Sequence, residues 1–197
     1  MTSPTARRRL TRDARRAELL QAGERLFSAR PFEDVSIDDI AAEAAISKNL
    51  IYHYFAGKRE LFLAVITEAA DAMLAATEPD MKLPPLERLR ASLDGHLDFV
   101  VEHAEGYIAL MRGAGDEDVA AIVAEGRRRG VQRTLASMPL DGPPPPELEL
   151  ALHGWAGFVD ALTLRWLEHR DMPRDRVRDL LAELFVSTLT GVGRLTR

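Results

Sequence analysis

Apolar positions recur along most of this chain three and four residues apart, the spacing that predicts amphipathic helices. No useful length shows alternating apolar and polar positions or a cluster of β-branched residues, so no strand is predicted. The pattern therefore predicts an all-α protein of about nine helices. Two of them are short and lie within 36–58, and the others cover about 11–29, 58–76, 85–103, 105–112, 116–137, 146–170 and 173–195.

The stretch 36–58 predicts two short helices joined by a tight turn. Ser36 is a good N-cap for the first, and Asp39 stands at the acidic position of a capping box. Ser47 is suited to cap the second helix, and Gly57 is suited to a left-handed residue after its end.

The second of these helices has an unusual outer face. Ile51 and Phe55, four residues apart, orient it toward a core. The side chains left outside are aromatic or hydrogen-bonding and include no carboxylate. A helix that reads DNA needs such a slim face, with its first residues reaching base edges. The outward residues are Lys48, Asn49, Tyr52, His53 and, at the edge, Tyr54.

Together these residues resemble the DNA-binding signature of the TetR family of transcriptional repressors. The likeness is densest from Ile37 to Leu61 and extends from Arg15 to about Ala76. It departs from the usual family pattern at Asn49 and Leu50. The motifs that carry it, in order, are Ile46-Ser47-Lys48, Tyr52-His53-Tyr54-Phe55 and Lys58.

The resemblance implies roles for individual side chains. Lys48, Asn49 and His53 would face the major groove, where lysine can donate to guanine and asparagine can pair with adenine. The alternative for Lys48 is a side chain that contacts only solvent. For Tyr52 and Tyr54 the alternative to a DNA contact is partial burial in the core. The implied phosphate contacts, which set register and are salt-sensitive, are Ser36, Ser47, Tyr52, Tyr54 and Lys58.

Charge is unevenly distributed along the chain. The net charge is −5, but arginines are concentrated at the N-terminal end and the remainder is acidic. This distribution favours DNA contact at one end of the molecule. The arm Arg7-Arg8-Arg9 could enter an adjacent minor groove or stay near phosphates, and a solvated tail is the alternative.

The last two helices have apolar stripes wider than one neighbour covers. Gly154, Gly157, Gly191 and Gly193 would permit close helix approach. The pattern predicts that both helices pair with their copies in a homodimer, as the resemblance also implies, although a single intramolecular core would bury them too. We therefore expect a helix-turn-helix domain over 1–57 and a ligand-binding and dimerisation domain over 58–197.

Residues of the middle and late helices could line a largely apolar ligand site with a few polar groups. Core packing is the alternative for each of them, and Asp160 would take a buried polar role or lie at the solvent edge. The resemblance implies an inducer bound in this body. The candidates are His96, Phe99, His103, Tyr107, Met111, Trp155, Phe158 and Trp166.

Other chemistries find little support in the residues. There is no cysteine, no HExxH, no G-x-S-x-G and no phosphate-binding loop after a strand, so we expect no enzyme, no metal site and no cofactor. His96 and His103 are seven residues apart, too far to chelate one ion by themselves. No apolar run approaches a membrane span, and the basic N-terminus lacks the apolar segment of a signal peptide, so a cytoplasmic location is expected.

Together, the residue patterns and the resemblance predict a ligand-responsive repressor. A homodimer would bind a roughly palindromic DNA operator, and an unidentified small-molecule effector would release it. The alternative is a helical ligand-binding or interaction protein without regulatory DNA binding, which the basic face of residues 48–58 disfavours.

Overall fold

A computed structural model describes residues 11–112, 116–140 and 142–195. These ranges contain nine α-helices, one 3₁₀ turn (Phe32–Asp34) and no strand, which confirms the predicted all-α class. The arm Arg7-Arg8-Arg9 lies outside the described residues. The helices are α1 (Arg12–Ala29), α2 (Ile37–Glu43), α3 (Lys48–Tyr54), α4 (Lys58–Ala76), α5 (Pro85–Glu102), α6 (Ala104–Arg112), α7 (Glu117–Ala136), α8 (Pro146–His169) and α9 (Arg174–Leu195).

The chain forms two compact units, the first ending at Val65 and the second beginning at Ile66, inside α4. In the first unit, α1 packs on α2 and α2 on α3 around one apolar core. Phe27, Phe32 and Phe62 close this core with ring centroids 4.8–6.1 Å apart. Its most buried members are Leu19, Val35, Ile40, Ile51, Phe55 and Leu61.

The turn between α2 and α3 is fixed by local hydrogen bonds. The predicted capping box is confirmed: the Asp39 N–H donates to Ser36 Oγ at 3.1 Å, and the Ser36 N–H donates to Asp39 Oδ2 at 2.8 Å. Ala45 follows in the left-handed region, with φ of 51°, and the Ile46 N–H then donates to the Ala41 carbonyl at 2.9 Å. A residue without a bulky side chain suits this reversal.

Two of the expected helix caps differ from the prediction. The left-handed conformation predicted for Gly57 is wrong, since no described glycine has a positive φ. Phe55 is itself extended (φ −138°, ψ 133°) and takes the chain out of α3 without a reversal. Ser47 occupies the N-cap position as predicted, but its side chain makes no capping hydrogen bond.

In the second unit α9 packs against α5, and α8 lies against α6, α7 and α9. Two apolar clusters fill the space between these helices. One includes Leu97, Val100, Val159 and Leu181, and the other includes Leu152 and Phe185. No helix in the described ranges combines the length and apolarity that a membrane crossing requires.

The C-terminal end of α4 is held from two sides within this unit. Arg133 of α7 donates from Nη2 to the Thr77 carbonyl at 3.0 Å and to Thr77 Oγ1 at 2.6 Å, and from Nη1 to the Leu74 carbonyl. These bonds satisfy carbonyls that a helix end leaves unpaired. Gly95 of α5 approaches the Ala76 carbonyl so closely that a β-carbon would not fit.

Candidate nucleic-acid interface and ligand site

The exposed face of α3 contains the side chains predicted to read DNA. Ile51 is fully buried and Phe55 nearly so, which fixes the rotation of the helix. Lys48, Asn49 and His53 are exposed, and 54% of Tyr52 is exposed. The predicted orientation of this face is therefore confirmed. None of the seven residues of α3 is acidic, so this face can lie against an anionic surface without charge repulsion from its own side chains.

Lys48 has an ionic partner on the preceding helix. Its Nζ lies 2.5 Å from Oδ1 of Asp38 on α2, and both side chains are more than half exposed. An exposed ion pair of this kind is weak, so the ammonium can exchange Asp38 for a base or a phosphate at little cost.

The other candidate phosphate contacts differ in how far their polar atoms are already engaged. Ser36 Oγ donates to Asp39 Oδ2 at 2.6 Å, whereas Ser47 makes no capping bond that a phosphate would have to break. Tyr54 is half-buried, packs on the first unit's core and meets the His53 ring edge-on at 5.2 Å. Lys58 Nζ donates to the Phe32 carbonyl at 2.7 Å and lies 4.1 Å from the Phe32 ring centroid.

A polar network lies inside the second unit, around Asp160 of α8. Tyr107 of α6 donates its hydroxyl to Asp160 Oδ1 at 3.2 Å, and Arg127 of α7 donates from Nε to Asp160 Oδ2 at 2.5 Å. One turn further along α8, Thr163 Oγ1 lies 3.2 Å from Nε2 of His96 on α5. His96 and Tyr107 meet edge-on, with ring centroids 6.4 Å apart.

Burial sets the protonation states in this network. Desolvation lowers the pKa of His96 below its usual range, and the nearby Asp160 charge only partly opposes this shift. Burial, followed by the charge of Asp160, raises the pKa of the Tyr107 hydroxyl. The imidazole of His96 and the phenol of Tyr107 are therefore neutral near pH 7, so Arg127 is the cationic side chain that pairs with Asp160 in this network.

The structure brings together only some of the predicted ligand residues. Besides His96 and Tyr107, the rings of Phe99 and His103 meet at a tilt of 35° with centroids 4.4 Å apart. Phe99 and Met111 pack on the apolar cluster that includes Tyr107. Of the three residues from α8, Trp155 and Trp166 belong to the apolar cluster that includes Tyr107. Trp155 meets Phe185 of α9 edge-on at 4.8 Å, Trp166 donates from Nε1 to the Met172 carbonyl at 2.7 Å, and 43% of Phe158 is exposed.

Two sequence profiles match this chain over most of its length. Residues 19–65 match the profile described as bacterial regulatory proteins of the tetR family. Residues 85–188 match the tetracyclin repressor-like C-terminal domain. The chain belongs to the TetR family of transcriptional regulators.

Individual TetR-family proteins agree with this assignment. A TetR-family regulator from Streptomyces coelicolor superposes with a TM-score of 0.83 and is 33% identical, over 92% of this chain and 82% of that one. A TetR-like regulator from Rhodococcus sp. RHA1 superposes with a TM-score of 0.67 and is 31% identical, over 94% and 99% of the two chains.

One curated relative is named an activator. FasR of Mycolicibacterium smegmatis, an HTH-type transcriptional activator, is 34% identical over 101 residues, which are 50% of this chain and 46% of FasR. The alignment therefore spans about half the length of that relative.

Two residues of the polar network in this TetR-family protein were not predicted from the sequence. Thr163 lies on the apolar stripe of α8, and a hydroxyl at a predicted buried position was a signal for a buried partner. Arg127 lies in a run of three arginines, and the sequence does not distinguish which of the three turns toward α8. In the described ranges, no group of three or more His, Cys, Asp or Glu residues is arranged to hold a metal ion.

Proposed function

We propose that this TetR-family regulator binds a roughly palindromic operator as a homodimer and leaves it when a small molecule binds its second unit. Repression is the expected effect on transcription. The observation that carries the proposal is the exposed, carboxylate-free face of α3, formed by Lys48, Asn49, Tyr52 and His53. Two such helices one DNA turn apart, about 34 Å, would enter successive major grooves.

The proposed contacts divide into base-reading and phosphate-binding groups. Lys48 and Asn49, in the first turn of α3, are the candidates for base edges, with His53 beside them. Tyr52 and Ser47 are the strongest phosphate candidates, because Tyr52 is exposed and Ser47 has no capping bond to lose. Ser36, Tyr54 and Lys58 remain candidates whose polar or aromatic groups already have partners in the first unit.

The proposed dimer surface is the outer side of α8 and α9. Leu150 is 75% exposed, and a little under half of Phe158 and of Val186 is exposed. A β-carbon added to Gly154 or Gly191 would meet nothing within 4 Å. Large exposed apolar side chains beside uncovered glycines favour a close contact with a second copy. Phe158 was predicted to bind ligand. Its exposure on the outer surface of α8 favours a role in the proposed dimer surface instead.

The proposed effector site is the polar network around Asp160 with its apolar surroundings. We place the boundary between the DNA-reading domain and the ligand-binding and dimerisation domain inside α4, after Val65, where the first compact unit ends, rather than at the expected 57/58. A regulator of this kind acts on DNA without a catalytic step, so we propose no enzymatic activity. We also propose a cytoplasmic location.

A gel-shift experiment tests the DNA-binding part. The DNA would be a fragment from upstream of the protein's own gene, with Lys48→Ala and Tyr52→Phe as the test variants. Lys82→Ala is the matched control, because Lys82 is an exposed lysine of the second unit. We expect both test variants to weaken the complex about tenfold or more and the control to leave it unchanged. Equal binding by all four proteins would refute the assignment of the α3 face.

The sign of regulation has a second candidate, which the activator name of FasR favours. A reporter gene behind the bound fragment separates the two, since deletion of the regulator raises expression for a repressor and lowers it for an activator.

A further inference from the structure

The polar network around Asp160 indicates what kind of molecule the second unit would accept. Groups from α6 and α7 meet its carboxylate, since Tyr107 donates to Oδ1 at 3.2 Å and Arg127 donates to Oδ2 at 2.5 Å. His96 of α5 is close enough to be affected by the Asp160 charge. The anionic charge of Asp160 is therefore balanced by a cation from its own chain.

The two members of this ion pair are not equally buried. The Asp160 side chain is 19% exposed, whereas that of Arg127 is 39% exposed. The long side chain of Arg127, which is already partly exposed, can turn its guanidinium into water. The short carboxylate of Asp160 cannot follow it and is also held by Tyr107. If the pair opens, the charge that stays inside is the negative one.

The Asp160 carboxylate is only 19% exposed, so losing its partner is unfavourable, and a molecule that takes the place of Arg127 should supply a positive charge. An anionic ligand would instead place a second negative charge beside Asp160. A neutral ligand would leave the Arg127–Asp160 pair in place and gain no charge-assisted hydrogen bond.

The surroundings of the network specify the rest of the molecule. Tyr107, which donates to Asp160, belongs to an apolar cluster, so the cation would need an apolar body to pack there. Aromatic rings also attract cations over their faces. The other members of this cluster include Leu97, Phe99, Val100, Met111, Trp155 and Val159.

We propose that Asp160 is an exchangeable counterion site, where the ammonium group of an effector with an apolar body replaces the guanidinium of Arg127. This inference rests on the proposed ligand-responsive function and gives its effector a chemical class, an organic monocation. Tyr107 keeps its hydrogen bond to Asp160 in both states, and the released Arg127 becomes hydrated.

Three matched probes test the charge requirement on the full-length protein: 4-phenylbutylamine, 4-phenylbutan-1-ol and 4-phenylbutanoate. Binding is measured by isothermal titration up to about 1 mM. We expect the amine to bind about tenfold or more tightly than the alcohol, and the acid to bind least of the three. An absence of amine binding, or equal binding of the acid, overturns the proposal.

Two variants with opposite expected effects connect the result to this site. Asp160→Asn should remove the preference for the amine, whereas Arg127→Ala should raise amine affinity about threefold or more because the internal competitor is gone. Glu168→Gln is the control, since it removes a carboxylate of α8 that pairs with Arg112 outside the network. Loss of amine binding in Arg127→Ala would overturn the proposal even if Asp160→Asn failed to fold.

The outcome is separable from that of the proposed DNA binding. A protein that shifts its upstream DNA but does not bind the amine overturns only the cation site. A protein that binds the amine but shifts no DNA supports the cation site and overturns the DNA-reading proposal.

Discussion

A β-carbon on Gly95 would collide with the carbonyl oxygen of Ala76. Gly95 is in the middle of α5, and Ala76 is the last residue of α4. The contact is between the backbone of α5 and the backbone of α4, so no flexible side chain could move aside. The seating of the α4 end in the second unit therefore depends on a residue without a side chain.

Gly95→Ala should destabilise the protein, because one of the two helices has to move to admit the methyl group. We expect a loss of about 1–3 kcal/mol in the free energy of unfolding. Gly130→Ala is the matched control within α7, where a β-carbon meets nothing within 4 Å. Alanine there should stabilise the helix by about 0.5–1 kcal/mol. Urea denaturation of the two variants measures both changes, and an equal effect would contradict the close approach.

Arg133→Met should also destabilise the second unit. Methionine keeps much of the side-chain length but removes the hydrogen bonds to Leu74 and Thr77 at the end of α4. The loss of these part-buried hydrogen bonds should cost about 1–3 kcal/mol. Arg129→Met serves as the comparison, because Arg129 forms an exposed pair with Asp71 that should contribute no more than about 1 kcal/mol. Thermal unfolding that ranks Arg129→Met as the more damaging change would contradict the capping role of Arg133.

Stability should fall as the solution becomes acidic, and His96 should account for part of the loss. Its pKa in the folded protein is below the ordinary value of 6.5 because burial disfavours the charged ring. The unfolded chain therefore takes up the proton first, so this contribution is full above about pH 6.5 and decreases as the pH falls below it. Unfolding free energies between about pH 7.5 and 5.5 should show a shallower slope for His96→Asn than for the wild type. A His96→Asn variant that keeps the wild-type slope would contradict this contribution of His96.

Asp38→Ala should strengthen binding to DNA of unrelated sequence. The change releases Lys48 from its ion pair and removes a negative charge beside the proposed DNA-binding face. The gain should be at most about fivefold, the size of a typical exposed ion pair. Fluorescence anisotropy at one fixed salt concentration measures it. Asp171→Ala removes another exposed carboxylate, one that pairs with Arg165 in the second unit, and it should have no such effect.

Leu150→Glu should yield a monomer. A carboxylate on the proposed dimer surface would be desolvated against apolar groups of the second copy, which is costly. Light scattering coupled to size exclusion gives the mass directly. Met81→Glu changes another largely exposed apolar residue outside α8 and α9, and it should leave the dimer intact. A monomeric wild type, or a dimer that tolerates Leu150→Glu, would contradict the placement of this interface.

Local sequence signals predicted the elements of this fold well. The 3.6-residue period placed the helix ends within a residue or two, and the Ser36–Asp39 capping box formed as its spacing indicated. The left-handed conformation predicted for Gly57 from its residue type was wrong. Whether a helix end needs a left-handed residue depends on the direction of the following chain, and the extended conformation of Phe55 removes that need here.

The interior of the second unit could be predicted only in part. Spacing along α8 identifies its buried stripe, but it does not say which residues of α6 and α7 lie opposite. The pairing of Asp160 with Tyr107 and Arg127 depends on tertiary contacts 53 and 33 residues apart in sequence. Whether Phe158 contacts a ligand or a second copy likewise depends on which way α8 is rotated in its bundle.

The position of α4 sets where the protein can be shortened. Leu61 and Val65 belong to the core that supports α3, although they follow Gly57 in the chain. A fragment ending at residue 57 would keep every side chain of the α3 face but lose the apolar residues that hold this helix in place. Expression of the N-terminal part alone should therefore extend at least to Val65 if the fragment is to fold by itself.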